Sequence, residues 1–240
     1  MNMNFDTEVQ MRVLITAGST KTMVDEVRAI DNIFKGNTGV EIALSLGDWN
    51  DCEVTFLTSY KELYLVAVKD HPSRVTVKTY RTFDELLALM KDEICTGNYD
   101  VVIHSSAVSD YYTEGVYGTV SGDPESGLVL RELDRNGKIP SDNEELWIRL
   151  AKTEKIVDKI KKEWGYKGKL VMFKLQSKIS DEELIEKATI SMIRAKADLI
   201  VANCLQWYKE RAYVISSAGS VQSILRSDLT NEIMKGVTTK

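Results

Sequence analysis

Residues 12–17 (RVLITA) form an unbroken apolar and β-branched run that stops at Gly18-Ser19-Thr20, the pattern of a buried strand feeding a turn. The next periodic stretch, 36–46, puts Val40, Ile42, Ala43, Leu44 and Leu46 at helical spacing. The connection between them, residues 19–35, is longer than the roughly 2–6 residues usual in βα units, so it is expected to carry function. Alternation predicts strands over 52–58 (CEVTFLT) and 74–79 (RVTVKT). Thr82 with Glu85 is a capping box for a helix whose apolar positions are Phe83, Leu86, Leu87, Leu89, Met90 and Ile94. Residues 99–104 (YDVVIH) are apolar enough for a central strand of a parallel sheet.

From 105 to 140 the pattern loosens at Gly115, Gly118, Gly122, Gly127 and Gly137, and only 127–133 (GLVLREL) predicts a strand. Ser141 with Glu144 reads as a second capping box, opening a helix to Trp164 that turns Leu146, Leu150, Val157 and Ile160 inward. A strand over 169–175 (KLVMFKL) follows, then a third capping box, Ser180 with Glu183, for a helix to about Ala195. A strand over 198–202 (DLIVA), a hairpin of 212–216 and 220–225, and a last helix capped by Ser227 complete the chain. Strands alternating with capped helices imply right-handed crossovers. The expectation is an α/β class, Rossmann-like doubly wound, mostly parallel sheet with helices on both faces, in one domain over 1–240. Ligands of such sheets sit beyond the carboxyl ends of the strands, where the loops after Thr16, His104, Leu175 and Ala202 emerge.

Composition narrows the chemistry. A chain of 240 residues, 43% hydrophobic and 28% charged, has the makeup of a soluble globular protein with one large core. Its net charge of −5 argues against a nucleic-acid binder, which needs a basic surplus. No apolar run reaches the roughly 18 residues of a membrane span, and the first residues lack the order of a signal peptide, so a cytoplasmic location is expected. Cys52, Cys95 and Cys204 form no Cys-x-x-Cys pair, and the two histidines, His71 and His104, are too few for a zinc site. Catalysis is left to Lys, Arg, Asn, Asp and backbone amides, with a carboxylate-bound Mg²⁺ as an option.

Five places offer that chemistry. The small loop Gly18-Ser19-Thr20 presents amides and hydroxyls to an anion. Neither Gly-x-Gly-x-x-Gly, a Walker loop nor Tyr-x-x-x-Lys occurs, so any nucleotide site is of another kind. In Asp25-x-x-Arg28-x-x-x-Asn32, followed by Gly36 and Gly39, Arg28 can fork onto an anion and Asn32 can donate and accept. The run Ser105-Ser106-Ala107-Val108-Ser109-Asp110-Tyr111 leaves room for a flat ring or ribose, with Asp110 as an acceptor. Lys138, in Asn136-Gly137-Lys138-Ile139-Pro140-Ser141, has the look of an ammonium on a mobile loop that meets a polyphosphate. Asn203 ends a buried strand. Against these, Trp147, Trp164 and Met192 read as core, and the basic run 159–162 (KIKK) with Lys155 as a solvated helix face.

In order along nearly the whole chain these motifs resemble the phosphopantothenate-cysteine ligase (phosphopantothenoylcysteine synthetase) family. The family's Gly-Gly-Thr loop, Asp-x-Val-Arg-x-Ile-x-Asn and Gly-x-x-Gly helix start read here as Gly18-Ser19-Thr20, Asp25 through Asn32, and Gly36 to Gly39. Its Ala-Val-Ala/Ser-Asp-Tyr motif is Ala107 to Tyr111, its Lys-Ile segment Lys138-Ile139, its Gly-Phe-Lys/Ala strand end Met172-Phe173-Lys174, and its Ala-Asp-Leu-Ile-x-Ala-Asn strand Ala197 to Asn203. The resemblance implies a standalone ligase that activates the carboxylate of 4′-phosphopantothenate with a nucleoside triphosphate, giving an acyl-nucleotide and pyrophosphate, before the amine of L-cysteine displaces the nucleotide.

The resemblance also implies roles. Asn32 would hold the acyl-nucleotide, Arg28 would support its loop, and Lys138 would meet the triphosphate. Gly18, Ser19, Thr20, Ser106, Ala107, Asp110, Phe173 and Asn203 would line the nucleotide site, and Asn32, Lys35 and Gly36 the phosphopantothenate site. Mg²⁺ would accompany the nucleotide, CTP favoured over ATP by the chain's length, and the protein would be a homodimer joined through 112–133 or the hairpin near Ser216. The chain departs from the family's His-Ser-Ser at Ile33-Phe34-Lys35, from Lys-Ile-Lys-Lys at Lys138-Ile139-Pro140-Ser141, and from Asn-Asp at Asn203-Cys204. The first of these keeps open a non-catalytic relative that binds nucleotide or phosphopantothenate; a Rossmann-type oxidoreductase is the weaker alternative.

Overall fold

The computed structural model describes residues 10–68 and 74–238. The expected strand over 74–79 therefore falls within it and His71 outside it. Along the chain lie β1 (Met11–Ala17), β2 (Thr22–Met23), β3 (Ala29–Ile30), α1 (Asn37–Gly47), β4 (Cys52–Thr58), α2 (Lys61–Ala67), β5 (Val75–Thr79), α3 (Phe83–Thr96) and β6 (Val101–His104). Then come β7 (Tyr111–Asp123), β8 (Gly127–Glu132), β9 (Leu146–Lys152), α4 (Ile156–Lys162), β10 (Lys169–Gln176), α5 (Asp181–Ala195), β11 (Leu199–Cys204), β12 (Arg211–Ser216), β13 (Val221–Leu225) and α6 (Leu229–Thr238).

The main sheet runs β13-β12-β11-β10-β6-β1-β4-β5, with the β11–β12 and β12–β13 pairs antiparallel and the other pairs parallel. The chain enters at β1, winds outward through β4 and β5, and returns to β6 on the opposite flank of β1 before winding out again. Winding in both directions from β1 opens a crevice between β1 and β6 at their carboxyl ends, the place where such sheets bind ligands. Register across the crevice pairs Val13 with Val101 and Thr16 with His104.

Side-chain alternation along the buried strands explains why helices cover both faces. Leu14 packs with Leu86 and Met90 of α3, Ile160 of α4 and Leu184 of α5. Val13, Ile15 and Ala17 point the other way, into a cluster with Ile42 and Leu46 of α1 and Ile233 of α6. Each of these aliphatic side chains is fully buried, and burying one contributes about 1.5–3 kcal/mol. The capping box of α3 forms as expected, Thr82 Oγ1 accepting the Glu85 N–H at 3.3 Å and Glu85 Oε2 the Thr82 N–H at 3.4 Å. Ser180 Oγ accepts the Glu183 N–H of α5 at 3.1 Å. Among the described residues no helix is long and apolar enough to cross a membrane.

One long element is corrected. The helix expected from Ser141 to Trp164 is a turn, the strand β9 and the short α4. Positions 146 and 150 are four apart, which satisfies one helical turn and two strand repeats equally, so the spacing could not discriminate. β9 pairs antiparallel with β7, which pairs with β8 on its other edge. Trp147 is accordingly a sheet residue rather than core, its indole N–H donating to Thr119 Oγ1 at 3.0 Å. The basic run is not a free solvated face either: Lys159 is paired with Glu154 and Glu163, and Lys161 with Asp198. Residues 19–35 contain a small hairpin formed by β2 and β3.

Candidate active site

The crevice floor is built by continuing the β1–β6 pairing past the strand ends. Ser105 N–H donates to the Thr16 carbonyl at 3.1 Å, Ala107 N–H to the Gly18 carbonyl at 2.7 Å, and Thr20 N–H to the Ala107 carbonyl at 3.3 Å. Ser109 completes the seam, its N–H donating to Thr20 Oγ1 and its hydroxyl to the Thr20 carbonyl, both at 2.8 Å. Gly18, Ser19, Thr20, Ser106 and Ala107, expected to bind nucleotide, thus share one ridge. Beneath it, Thr16 Oγ1 and His104 Nδ1 are 2.8 Å apart, and burial pushes the imidazole down to about 4, so it is neutral at pH 7. Tyr80, from the loop after β5, donates its hydroxyl to the Ala17 carbonyl at 2.7 Å and lies 2.8 Å from Ser106 Oγ; burial pushes it up to about 12.

The helix start is pressed onto this ridge. Gly18 and Gly36 both have positive φ, +91° and +95°, and a Cβ on Gly36 would lie 2.2 Å from the Gly18 amide nitrogen. Only glycine fits there. α1 therefore begins against the loop after β1, with no side-chain cap and no acidic residue in its first turn, which leaves its leading amides open toward an anion.

Residues 19–35 and the Lys138 loop meet at one carboxylate. Asp25 Oδ1 accepts the N–H groups of Val27 (2.9 Å) and Arg28 (2.7 Å), and Oδ2 accepts Arg28 Nε (2.9 Å) and the Ile139 N–H (3.1 Å). The Arg28 guanidinium holds this carboxyl well below the usual carboxylate range. Arg28 also donates to the Ile139 carbonyl at 2.7 Å, so its charge braces two segments against each other. Ile139 is buried with Val24 and Val116 in a small separate cluster, and Lys138 beside it is exposed. Arg135, not singled out by the sequence reading, donates to the carbonyls of Met23, Val24 and Thr113, each at 3.0 Å.

Asn32 and Lys35 stand in the turn before α1. Asn32 is exposed, and its Oδ1 accepts the Phe34 N–H at 3.0 Å. Lys35 donates to Asp31 (3.1 Å), to the Asn32 carbonyl (3.2 Å) and to the Tyr60 hydroxyl (2.7 Å). Across the crevice Asp110 is paired with Lys155. Phe173 on β10 is half-buried, and Asn203 on β11, opposite Leu175, is buried. Lys174, the lysine of the strand-end motif, is half-buried at the same strand end, and burial, then Lys155 and Arg194, pushes its ammonium down. Among the described residues no group of three or more His, Cys, Asp or Glu gathers as a metal site.

The family described as "DNA/pantothenate metabolism flavoprotein C-terminal domain" matches residues 9–119. The coenzyme A biosynthesis bifunctional protein CoaBC of Thermococcus kodakarensis is 33% identical over 196 residues, 81% of this chain and 41% of that protein. Its namesake from Methanocaldococcus jannaschii is 26% identical over 195 residues, 81% of this chain and 40% of that protein. The chain thus spans about two fifths of the length of these curated relatives. The solved DNA/pantothenate metabolism flavoprotein from Streptococcus pneumoniae superposes with a TM-score of 0.74 at 28% identity, covering 94% of this chain and 97% of that one. A Cab2 mutant in complex with phosphopantothenate-cysteine shares the fold, with a TM-score of 0.67 at 16% identity over 94% of this chain and 85% of that one. Fold, motif order and these matches agree in supporting, for this chain, the family of the DNA/pantothenate metabolism flavoprotein C-terminal domain, whose model matches residues 9–119.

Proposed function

We propose that the chain joins 4′-phosphopantothenate to L-cysteine in coenzyme A biosynthesis, using a nucleoside triphosphate, CTP before ATP, to form an acyl-nucleotide intermediate. The observation that carries this reading is the joint at Asp25, which mounts the segment leading to Asn32 and the loop bearing Lys138 on each other at the mouth of the crevice. Activation of a carboxylate by a triphosphate needs a group on the acyl oxygen and a cation on the phosphates held in fixed relation.

In the proposed reaction a carboxylate oxygen attacks the α-phosphorus and pyrophosphate leaves. The cysteine amine, its surplus protons shed to solvent, then attacks the acyl carbon, and the nucleoside monophosphate departs with the bridging oxygen. Asn32 donates from Nδ2 to the acyl oxygen, since its Oδ1 is already spent on Phe34. Lys138 approaches the triphosphate and the start of α1 supplies amides to it, while loop 18–20 lines the site with its Ser19 and Thr20 N–H groups engaged by Ser59 and Ala107. Ser106, Ala107, Asp110, Phe173 and Asn203 receive the base and ribose, and Gly36 lets phosphopantothenate close on the helix start. Arg28 acts as a brace. The N–H groups of Lys35, expected at the substrate phosphate, are already engaged inside the chain, so its part is to hold the turn before α1. The described residues present no ready protein cage for Mg²⁺, which is proposed only as the counter-ion of the triphosphate.

A second copy of the chain is the proposed partner of the sheet β8-β7-β9, which exposes Val120, Val129, Leu130, Leu146, Ile148 and Leu150 by 37–61%. The test of the activity is pyrophosphate release with Mg²⁺, 4′-phosphopantothenate and cysteine, run with CTP and with ATP and with each component left out. Release that requires phosphopantothenate, with amide appearing only when cysteine is present, is expected. Folded protein that binds substrates and releases no pyrophosphate would replace this reading by the non-catalytic one.

A further inference from the structure

Asn32 is gripped at three of its four polar groups. Its backbone N–H donates to Asp31 Oδ1 at 2.8 Å, its carbonyl accepts from Lys35 Nζ at 3.2 Å, and its Oδ1 accepts the Phe34 N–H at 3.0 Å. Residues 31–36 belong to no helix or strand, so no ladder of backbone bonds holds them. What holds them is a ring of three side chains. Asp31 Oδ2 accepts both the Tyr60 hydroxyl and Lys35 Nζ (3.1 Å), and Lys35 closes the ring by donating to the Tyr60 oxygen at 2.7 Å.

The ring is anchored on two sides. Asp31 Oδ1 accepts the Ser19 hydroxyl at 2.6 Å, which ties it to the loop after β1. Tyr60, at the cap of α2 beyond β4, carries the Lys35 ammonium 4.6 Å above its ring centre. The three N–H donors of Lys35 are all committed, to Asp31, Tyr60 and the Asn32 carbonyl. Burial pushes the Asp31 carboxyl up, but hydrogen bonds from Ser19, Tyr60 and Lys35 outweigh it and hold it at about 2. Hydrogen bonds to Tyr60 and Asp31 raise Lys35. Both charges therefore persist across the neutral range, and the ring neither opens nor closes with physiological pH.

We propose that Asp31, Lys35 and Tyr60 are positioning residues for Asn32: their charged ring fixes the turn so that Asn32 Nδ2 is the donor presented to the acyl oxygen of the intermediate. This deepens the ligase reading and rests on it. A donor aimed at developing charge is worth most when its direction is set before the ligand arrives, and misplacement by about 1 Å costs on the order of a hundredfold in rate. It also separates two roles for Lys35. A phosphate ligand would act on substrate affinity, whereas a positioning residue acts on turnover.

The experiment is steady-state kinetics of pyrophosphate and amide formation on Tyr60→Phe, Asp31→Asn and Lys35→Gln, with thermal midpoints measured alongside. Tyr60→Phe keeps the ring and the cation above it and removes only the bridging hydroxyl, so its fold survives. Expected are kcat losses of about tenfold in Tyr60→Phe and up to about a hundredfold in Asp31→Asn, with KM for nucleotide and phosphopantothenate within about twofold. Tm of Tyr60→Phe should stay within about 3 °C of the unchanged chain. Undiminished kcat in Tyr60→Phe and Asp31→Asn, from a chain that is itself active, overturns the assignment. So does a rise in the phosphopantothenate KM of Lys35→Gln with kcat intact, which would make Lys35 a phosphate contact. No turnover in the unchanged chain overturns the ligase reading first, and the assignment with it.

Discussion

Lowering the pH from 7 to 4.5 should remove about 2–3 kcal/mol of stability through one side chain, His104. The imidazole sits at the carboxyl end of β6 between Thr16 of β1 and Met172 of β10, and burial alone lowers it from 6.5 to about 4. A group whose folded value lies below its unfolded one binds fewer protons in the native state, so for a base the stability is full above 6.5 and is lost as pH falls toward 4. The complete gap corresponds to about 3.4 kcal/mol, and by pH 4.5 about 2.5 kcal/mol of it is gone. For a chain of this size that is a fall in Tm of about 5–10 °C.

The carboxylates act in a different window. Asp31, held at about 2 against an ordinary 3.8, contributes stability above 3.8 that is lost as pH falls toward 2, and Asp25 follows the same sign. Denaturant or thermal unfolding at half-unit intervals from pH 7.5 to 3 therefore separates the two. His104→Gln keeps a hydrogen-bonding atom near Thr16 without the proton, so its curve should be flat between 6.5 and 4 where that of the unchanged chain slopes. Parallel curves across this interval would refute the account, because the histidine would then be charging no differently in the folded and unfolded chains.

Gly36→Ala should abolish pyrophosphate release, because its Cβ would lie 2.2 Å from the Gly18 amide nitrogen at a φ of +95°. Near-native turnover in that variant would show that the α1–Gly18 contact is not needed. Sedimentation of the unchanged chain should give a dimer and of Val120→Asp/Val129→Asp a monomer, these being the most exposed apolar residues of the small sheet, at 61% and 57%. A monomeric unchanged chain, or a variant that remains dimeric, rules out that surface.

The sheet was legible because its central strands are buried on both faces and so read as continuous apolar runs, as in 12–17 and 198–202. Thr82 and Glu85 announced α3 through a cap whose two hydrogen bonds need those residue types at that spacing. β9 was not legible, since Leu146, Ile148 and Leu150 all remain partly exposed and its neighbours supplied a false capping box. Gly18, Asn32 and Gly36 stood out by spacing. Tyr60 did not, because it reaches Asp31 from across the fold at the start of α2, a seven-residue helix too short to show periodicity. Arg135 did not because its partners are backbone carbonyls, which carry no residue-type signal.

The lack of conspicuous acid–base residues in the sequence becomes intelligible once the site is seen to be a problem of holding loops still. The leaving groups of the proposed reaction are phosphates, which need charge and direction more than a proton from the protein. His104, the histidine among the described residues, is accordingly spent below the surface as a neutral filler between strands. Charge is concentrated instead where segments without secondary structure must be fixed: Asp25 with Arg28 under the Lys138 loop, and Asp31 with Lys35 around Asn32. In each pair a carboxylate accepts backbone N–H groups as well as its cation, so the ion pair sets backbone direction and not only side-chain contact. An exposed ion pair alone would contribute little to stability. Tied into the backbone of a turn, it decides where the next residue points, and those next residues are the ones the proposed chemistry requires.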